Sequence, residues 1–133
     1  GRDRPVDTRN KLLTVEQAVD LARRFRGGGK RLRVVAGYFD PLLAPHARRL
    51  AQLREGAAAL AVIVARPPDP ILPARARAEL VAGLAAADYV VLPGDEPVET
   101  ILSKLDGVEV LRQESADLEI TQRLLDDVHG RQA

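Results

Sequence analysis

Residues 58–65 read Ala-Ala-Leu-Ala-Val-Ile-Val-Ala, with no polar side chain among them. A run of eight is far short of the roughly 20 apolar residues a membrane helix needs. It also lacks the apolar–polar alternation of a strand with one face in water. A strand covered by helices on both faces carries such a continuous run, so the flanking chain has to supply those helices.

It does. Thr14 and Gln17 stand at capping-box spacing, and Val15, Ala18, Val19 and Ala22 recur at helical period until Gly27-Gly28-Gly29 stops the pattern. Residues 32–36 form a short β-branched strand. Gly37-Tyr38-Phe39-Asp40-Pro41 turns out of it, and Pro45 lies just inside a helix that runs to about Glu55. Pro67-Pro68-Asp69-Pro70 is a rigid loop, and Pro73 opens a third helix with Leu80, Val81, Leu84 and Ala85 toward the core. Residues 89–92 are a third strand. Pro97 opens a fourth helix, where Val98, Ile101, Leu102 and Leu105 keep helical spacing, and residues 108–111 are a fourth strand. Leu118, Thr121, Leu125 and Val128 line a last helix ending near Gly130. Strands alternating with helices predict a three-layer α/β domain with a parallel sheet of about four strands. Residues 1–10 are polar and aperiodic and read as a flexible arm. Residues 11–133 read as one domain.

Composition narrows the function. Cysteine is absent, which removes disulfides, thiolate metal sites and cysteine nucleophiles and suits a reducing, cytoplasmic setting. No run reaches membrane-spanning length, and Gly1-Arg2-Asp3-Arg4-Pro5 lacks the apolar segment of a signal peptide. The sequence has no Met and so does not display a native start. A net charge of +1, with no Lys/Arg block and few aromatics, argues against nucleic-acid binding. Two widely separated histidines without cysteine argue against zinc, and Asp126, Asp127 and His129 lack metal-ligand spacing, so no metal site is expected. Neither GxSxG, a P-loop nor HExxH occurs.

Ligands of open α/β sheets bind beyond the carboxyl ends of the strands. The first such place is Gly37-Tyr38-Phe39-Asp40 and the helix start at Pro45-His46, where free N–H groups and the helix dipole favour an anion. Residues 30–40, Lys-Arg-Leu-Arg-Val-Val-Ala-Gly-Tyr-Phe-Asp, resemble the opening of the cytidylyltransferase-like, HxGH-class nucleotidyltransferases, most nearly the nucleotidyltransferase domain of bifunctional ADP-heptose synthases. The helix over residues 13–26, the Arg77-Ala78-Glu79-Leu80 segment and the Asp88-Tyr89-Val90-Val91 segment fit the same family, so the likeness covers residues from about 11 to about 111. It implies a Rossmann-like fold of the HUP type, with strand order 3-2-1-4 and a cleft beyond strands one and four. It also implies nucleotidyl transfer from a nucleoside triphosphate to a phosphorylated small molecule, releasing pyrophosphate. The only cofactor would be Mg²⁺ arriving with the triphosphate, none being tightly bound. Nucleotide and sugar phosphate are the implied ligands, with a homodimer as the implied assembly.

Laid on the family motif, HxGH here reads Leu43-Ala44-Pro45-His46. Leu43 cannot donate a hydrogen bond, and Pro45 removes an N–H where the family has Gly. Losing one donor to transition-state charge typically costs about 10²–10³ in rate. A Lys common after the second strand is missing from Arg66-Pro67-Pro68-Asp69-Pro70, and Arg112-Gln113 replaces Lys-Gly after the fourth strand. Thr121 is the only hydroxyl left of the family's nucleotide clamp. The candidate site is thus His46 as the one catalytic residue, with Gly37, Tyr38, Phe39, Asp40, His46, Arg66 and Arg112 toward nucleotide or phosphate. Each also has a plainer reading: Gly37 as backbone geometry, Tyr38 and Phe39 as packing, Asp40 as a cap on the following turn, His46 as a polar residue of a first helical turn. Arg112 reads equally as a surface residue, and Arg75, Arg77 and Glu79 as a surface ion-pair cluster. Three functions stay open: a degenerate nucleotidyltransferase-like domain, a pseudoenzyme kept for binding or interaction; an active nucleotidyltransferase rebuilt on His46, Arg66 and Arg112; and an assembly domain that binds no nucleotide.

Overall fold

The apolar run is the centre of the sheet. In the computed structural model, which describes residues 11–132, it forms β3 (Ala59–Val64), buried along its whole length. β3 pairs in parallel with β2 (Leu32–Gly37) on one side and with β4 (Tyr89–Val91) on the other. β5 (Glu109–Arg112) pairs in parallel with the far side of β2. The four expected strands therefore take the expected spatial order. A fifth was not expected: β1 (Leu12–Leu13) pairs with β4 and makes the other edge, so the all-parallel order is β1-β4-β3-β2-β5. Two leucines before a helix cap carry no period that separates them from the helix, so Leu13 reads as helical although it is extended.

Side-chain alternation along β2 and β3 divides the core in two. Leu32, Val34 and Ala36 with Ala59, Ala61 and Ile63 face α1 (Val15–Gly27) and α4 (Val98–Lys104). Val35 with Leu60, Val62 and Val64 faces α2 (Ala44–Arg54) and α3 (Ala74–Ala82). α1 opens with the expected capping box: the Gln17 N–H donates to Thr14 Oγ1 at 3.2 Å, and the Thr14 N–H donates to Gln17 Oε1 at 2.9 Å. Gly28 caps its end, and Gly29 turns the chain at φ +68°, a conformation that costs glycine nothing. α5 (Glu114–Gln132) lies beside α2 near the end of β2. Among the described residues no helix is long and apolar enough to cross a membrane.

The face that α3 buries agrees with the expected one at Val81, and Leu84 beyond it packs on the core, but the rest differs. Arg77, Ala78, Val81 and Ala82 point inward, whereas Leu80 is 47% exposed and Ala85 lies on the surface. The reason is Arg77, which is 1% exposed and not part of a surface cluster. Its guanidinium donates from Nη1 to the carbonyls of Ala65 (2.7 Å) and Tyr38 (3.1 Å), and from Nε to that of Leu72 (3.1 Å). Burial lowers its pKa, and the neighbouring Asp40 opposes that. Asp40 is buried as well, and it does not cap its own turn. It accepts from the N–H groups of Ile71 (2.6 Å) and Leu72 (2.8 Å), thirty-one and thirty-two residues away. Together the two charges tie the loop after β2 to the loop after β3 and to α3. Arg75 and Glu79 do form the expected surface pair, at 3.1 Å.

Replacing Arg77 by Met keeps the bulk but leaves the buried Ala65 carbonyl and the part-buried Tyr38 and Leu72 carbonyls without their donor, at about 1–3 kcal/mol for a fully buried group and less for the other two. Urea unfolding of Arg77→Met should show a loss of about 2–4 kcal/mol. The exposed neighbour Arg75→Ala should lose less than about 1 kcal/mol.

Candidate functional site

The sequence-predicted residues lie along one edge of the sheet but do not converge on one site. Tyr38, Arg66 and Arg112 line a cleft of about 340 Å³ at the carboxyl ends of the strands, together with Asp95, Glu96, Glu99 and Glu114. Phe39 and His46 line a separate pocket of about 240 Å³ between α2 and α5, with Arg49, Gln113 and Asp117. Asp40 belongs to the latch with the 71–72 loop. The separation begins at Phe39, whose φ of +50° is left-handed, a conformation uncommon outside glycine. Its ring is buried and meets the His46 ring edge-on at 5.6 Å, so Phe39 packs the core, as its plainer reading had it.

His46 is 2% exposed and committed inside the protein. Nδ1 accepts the N–H of Leu43 at 2.9 Å. Leu43 has no side-chain acceptor to return the bond, so only the reverse half of a capping box forms at the start of α2. With Nδ1 an acceptor, the neutral ring carries its proton on Nε2. Nε2 lies 3.2 Å from Oδ1 of Asp117, also buried, yet without the alignment of a hydrogen bond. The other carboxylate oxygen of Asp117 accepts the N–H of Tyr38 at 2.6 Å. A side chain from the first turn of α5 therefore sits on the end of β2. Gly37 makes the room: a methyl group there would run into the Asp117 carboxylate and stand 2.8 Å from the Phe39 ring.

The larger cleft is acidic. Arg112 is held by Glu114, both through Nε at 3.1 Å and through Nη2, and by Glu99 at 3.0 Å. These contacts push its pKa up, Glu114 contributing most. Glu99 is pulled down, first by its own backbone N–H and then by Arg112. Glu96 pairs with Lys104 at 2.9 Å. Arg66 is exposed at the mouth. Burial, and after it Glu114, raises the pKa of the Tyr38 phenol. Among the described residues no three metal-ligating side chains converge.

Gln113, Asp117, Glu99 and Glu114 are the site residues that sequence reasoning missed. Acidic residues in a first helical turn, here Glu114 and Asp117, signal only a complement to the helix dipole. Nothing in the chain announces that Asp117 will meet Tyr38, seventy-nine residues away. Thr121 falls in α5, but its side chain lies outside what the structure describes, as do residues 1–10. No protein-family model matches the chain, and no curated protein matches its sequence.

Gly37→Ala should displace either the Asp117 carboxylate or the Phe39 ring and cost about 1–3 kcal/mol in urea unfolding. The Tyr38 phenol should ionise above the ordinary value of about 10 in absorbance titration, and Tyr38→Phe should remove that component. Because the raised pKa belongs to the folded state, the phenol contributes stability below its unfolded pKa, and that stability is lost as pH climbs through the folded value.

Proposed function

We propose that this chain is a degenerate nucleotidyltransferase-like domain that no longer transfers nucleotides and serves as a binding or interaction module. The observation that carries this reading is His46. It is the one histidine left of the motif, and both of its nitrogens face groups within the fold. A catalytic histidine of this chemistry has to offer a donor to the phosphates in the transition state. Here that nitrogen is buried against an internal carboxylate, 3.2 Å away.

The surroundings support the same reading. Leu43 is the first residue of the helix cap and offers no side-chain hydrogen bond. Pro45, in the first turn of α2, has no N–H to give. Arg112 already meets two carboxylates. Asp95, Glu96, Glu99 and Glu114 outnumber Arg66 and Arg112 in the cleft, which opposes the approach of a triphosphate. A site rebuilt on His46, Arg66 and Arg112 would need all three on one ligand, and His46 lines a different pocket from the two arginines. The ligand class that remains in this reading is a nucleotide or sugar phosphate, with Mg²⁺ only as its companion, in a cytoplasmic setting. A homodimer belongs to the same proposal.

Pyrophosphate release from ATP and CTP, with Mg²⁺ and a panel of sugar phosphates, tests it. The native chain should give none above background. Leu43→His with Pro45→Gly should give little, because the repair leaves His46 and Arg112 engaged. Turnover by the native chain at about 1 s⁻¹ or faster would overturn the reading.

A further inference from the structure

We propose that the Asp117 carboxylate is an internal anion seated in an oxyanion cradle, and that a phosphate group competes with it, so that phosphate binding and docking of the first turn of α5 exclude one another. This rests on the reading above only in taking phosphate as the ligand class; the cradle itself is a matter of geometry.

The position already holds a carboxylate side chain. Asp117 is 4% exposed, and burying a carboxylate is costly unless donors meet it. Two groups face it. The Tyr38 N–H donates to Oδ2 at 2.6 Å. His46 Nε2 lies 3.2 Å from Oδ1 but out of line, a buried donor without an aligned acceptor among the described residues. A carboxylate is planar and tethered to α5, and it satisfies the first donor well and the second poorly. A tetrahedral phosphate is not tethered and has oxygens to spare for both. The start of α2 adds its partial positive charge. The absence of a Cβ at Gly37 leaves the space that the anion fills.

The adjoining pocket supplies the remaining contacts. Arg49, exposed on α2, and Gln113, the residue between β5 and α5, both line it. Arg49 brings a guanidinium to the rim, suited to a phosphate arriving from solvent. Leu118, next to Asp117, is 44% exposed and adds little packing there, so apart from the Arg112–Glu114 pair it is Asp117 that holds this turn of α5 to the sheet. When Asp117 leaves, its turn of helix loses the anchor to Tyr38, and the cradle is open.

The test measures binding of inorganic phosphate, pyrophosphate and ATP to the native chain and to Asp117→Asn, by calorimetry at constant ionic strength set with chloride. The three ligands separate recognition of a free phosphate from recognition of a nucleotide. Asp117→Asn should bind inorganic phosphate about 10–100-fold more tightly than the native chain, the range set by one charge-assisted hydrogen bond released from an internal competitor. His46→Ala in the Asp117→Asn background should reverse most of the gain. A second measurement needs no variant. In the native chain, phosphate at high concentration should speed hydrogen exchange in residues 114–118 and slow it at Tyr38. Equal phosphate affinity in the native chain and Asp117→Asn, or phosphate binding that leaves exchange in residues 114–118 unchanged, overturns the proposal. Pyrophosphate release by the native chain would sink the previous reading and leave this one standing, so the two fail separately.

Discussion

A buried guanidinium organises the working edge of this fold. Arg77 reaches three carbonyls, from the loop after β2, the end of β3 and the loop before α3, and Asp40 returns the tie through two N–H groups of that same loop. Loops at the carboxyl edge of a parallel sheet have few partners of their own, because the ladder ends there and each loop runs on to a helix. An apolar residue at position 77 could fill the volume but could not satisfy those carbonyls. The latch reaches further along this edge through Tyr38. It fixes the Tyr38 carbonyl, and the N–H of the same residue is what meets Asp117.

From that fixed turn two environments diverge. One is a wet, charged cleft in which carboxylates outnumber cations and Arg112 is neutralised where it stands. The other is a small, mostly apolar pocket floored by Phe39 and His46 and closed by Asp117. The local electrostatics differ accordingly. Charges in the cleft interact through water and are screened by salt, whereas the contact between His46 and Asp117 lies where solvent does not reach.

The layered α/β architecture was legible because it depends on period and punctuation. The run at 58–65, the Thr14 and Gln17 cap and the Gly and Pro stops each state their role locally. The order of the four main strands came from the family likeness and holds in the structure. What could not be read depends on tertiary partners. β1 is too short to show a period, and its two residues are strand only because β4 lies alongside. Arg77 looks like its neighbour Arg75, two positions earlier on the same helix, and only the fold decides that one is buried and the other is not. Asp117 looks like any acid in a first helical turn. The candidate site residues lie toward the carboxyl edge of the sheet, and their division between two cavities turns on the backbone of Phe39, where the residue type signals no positive φ.

That backbone has a consequence for how this protein can change. Tyr38 and Phe39 are adjacent in the chain, yet one borders the cleft and the other the inner pocket. A substitution at Tyr38 bears on the wet side and on the core cluster under α1 and α4, against which it packs, whereas one at Phe39 repacks the cluster under α2 and α3. The two cavities have no lining residue in common, so each lining can change without replacing a side chain of the other.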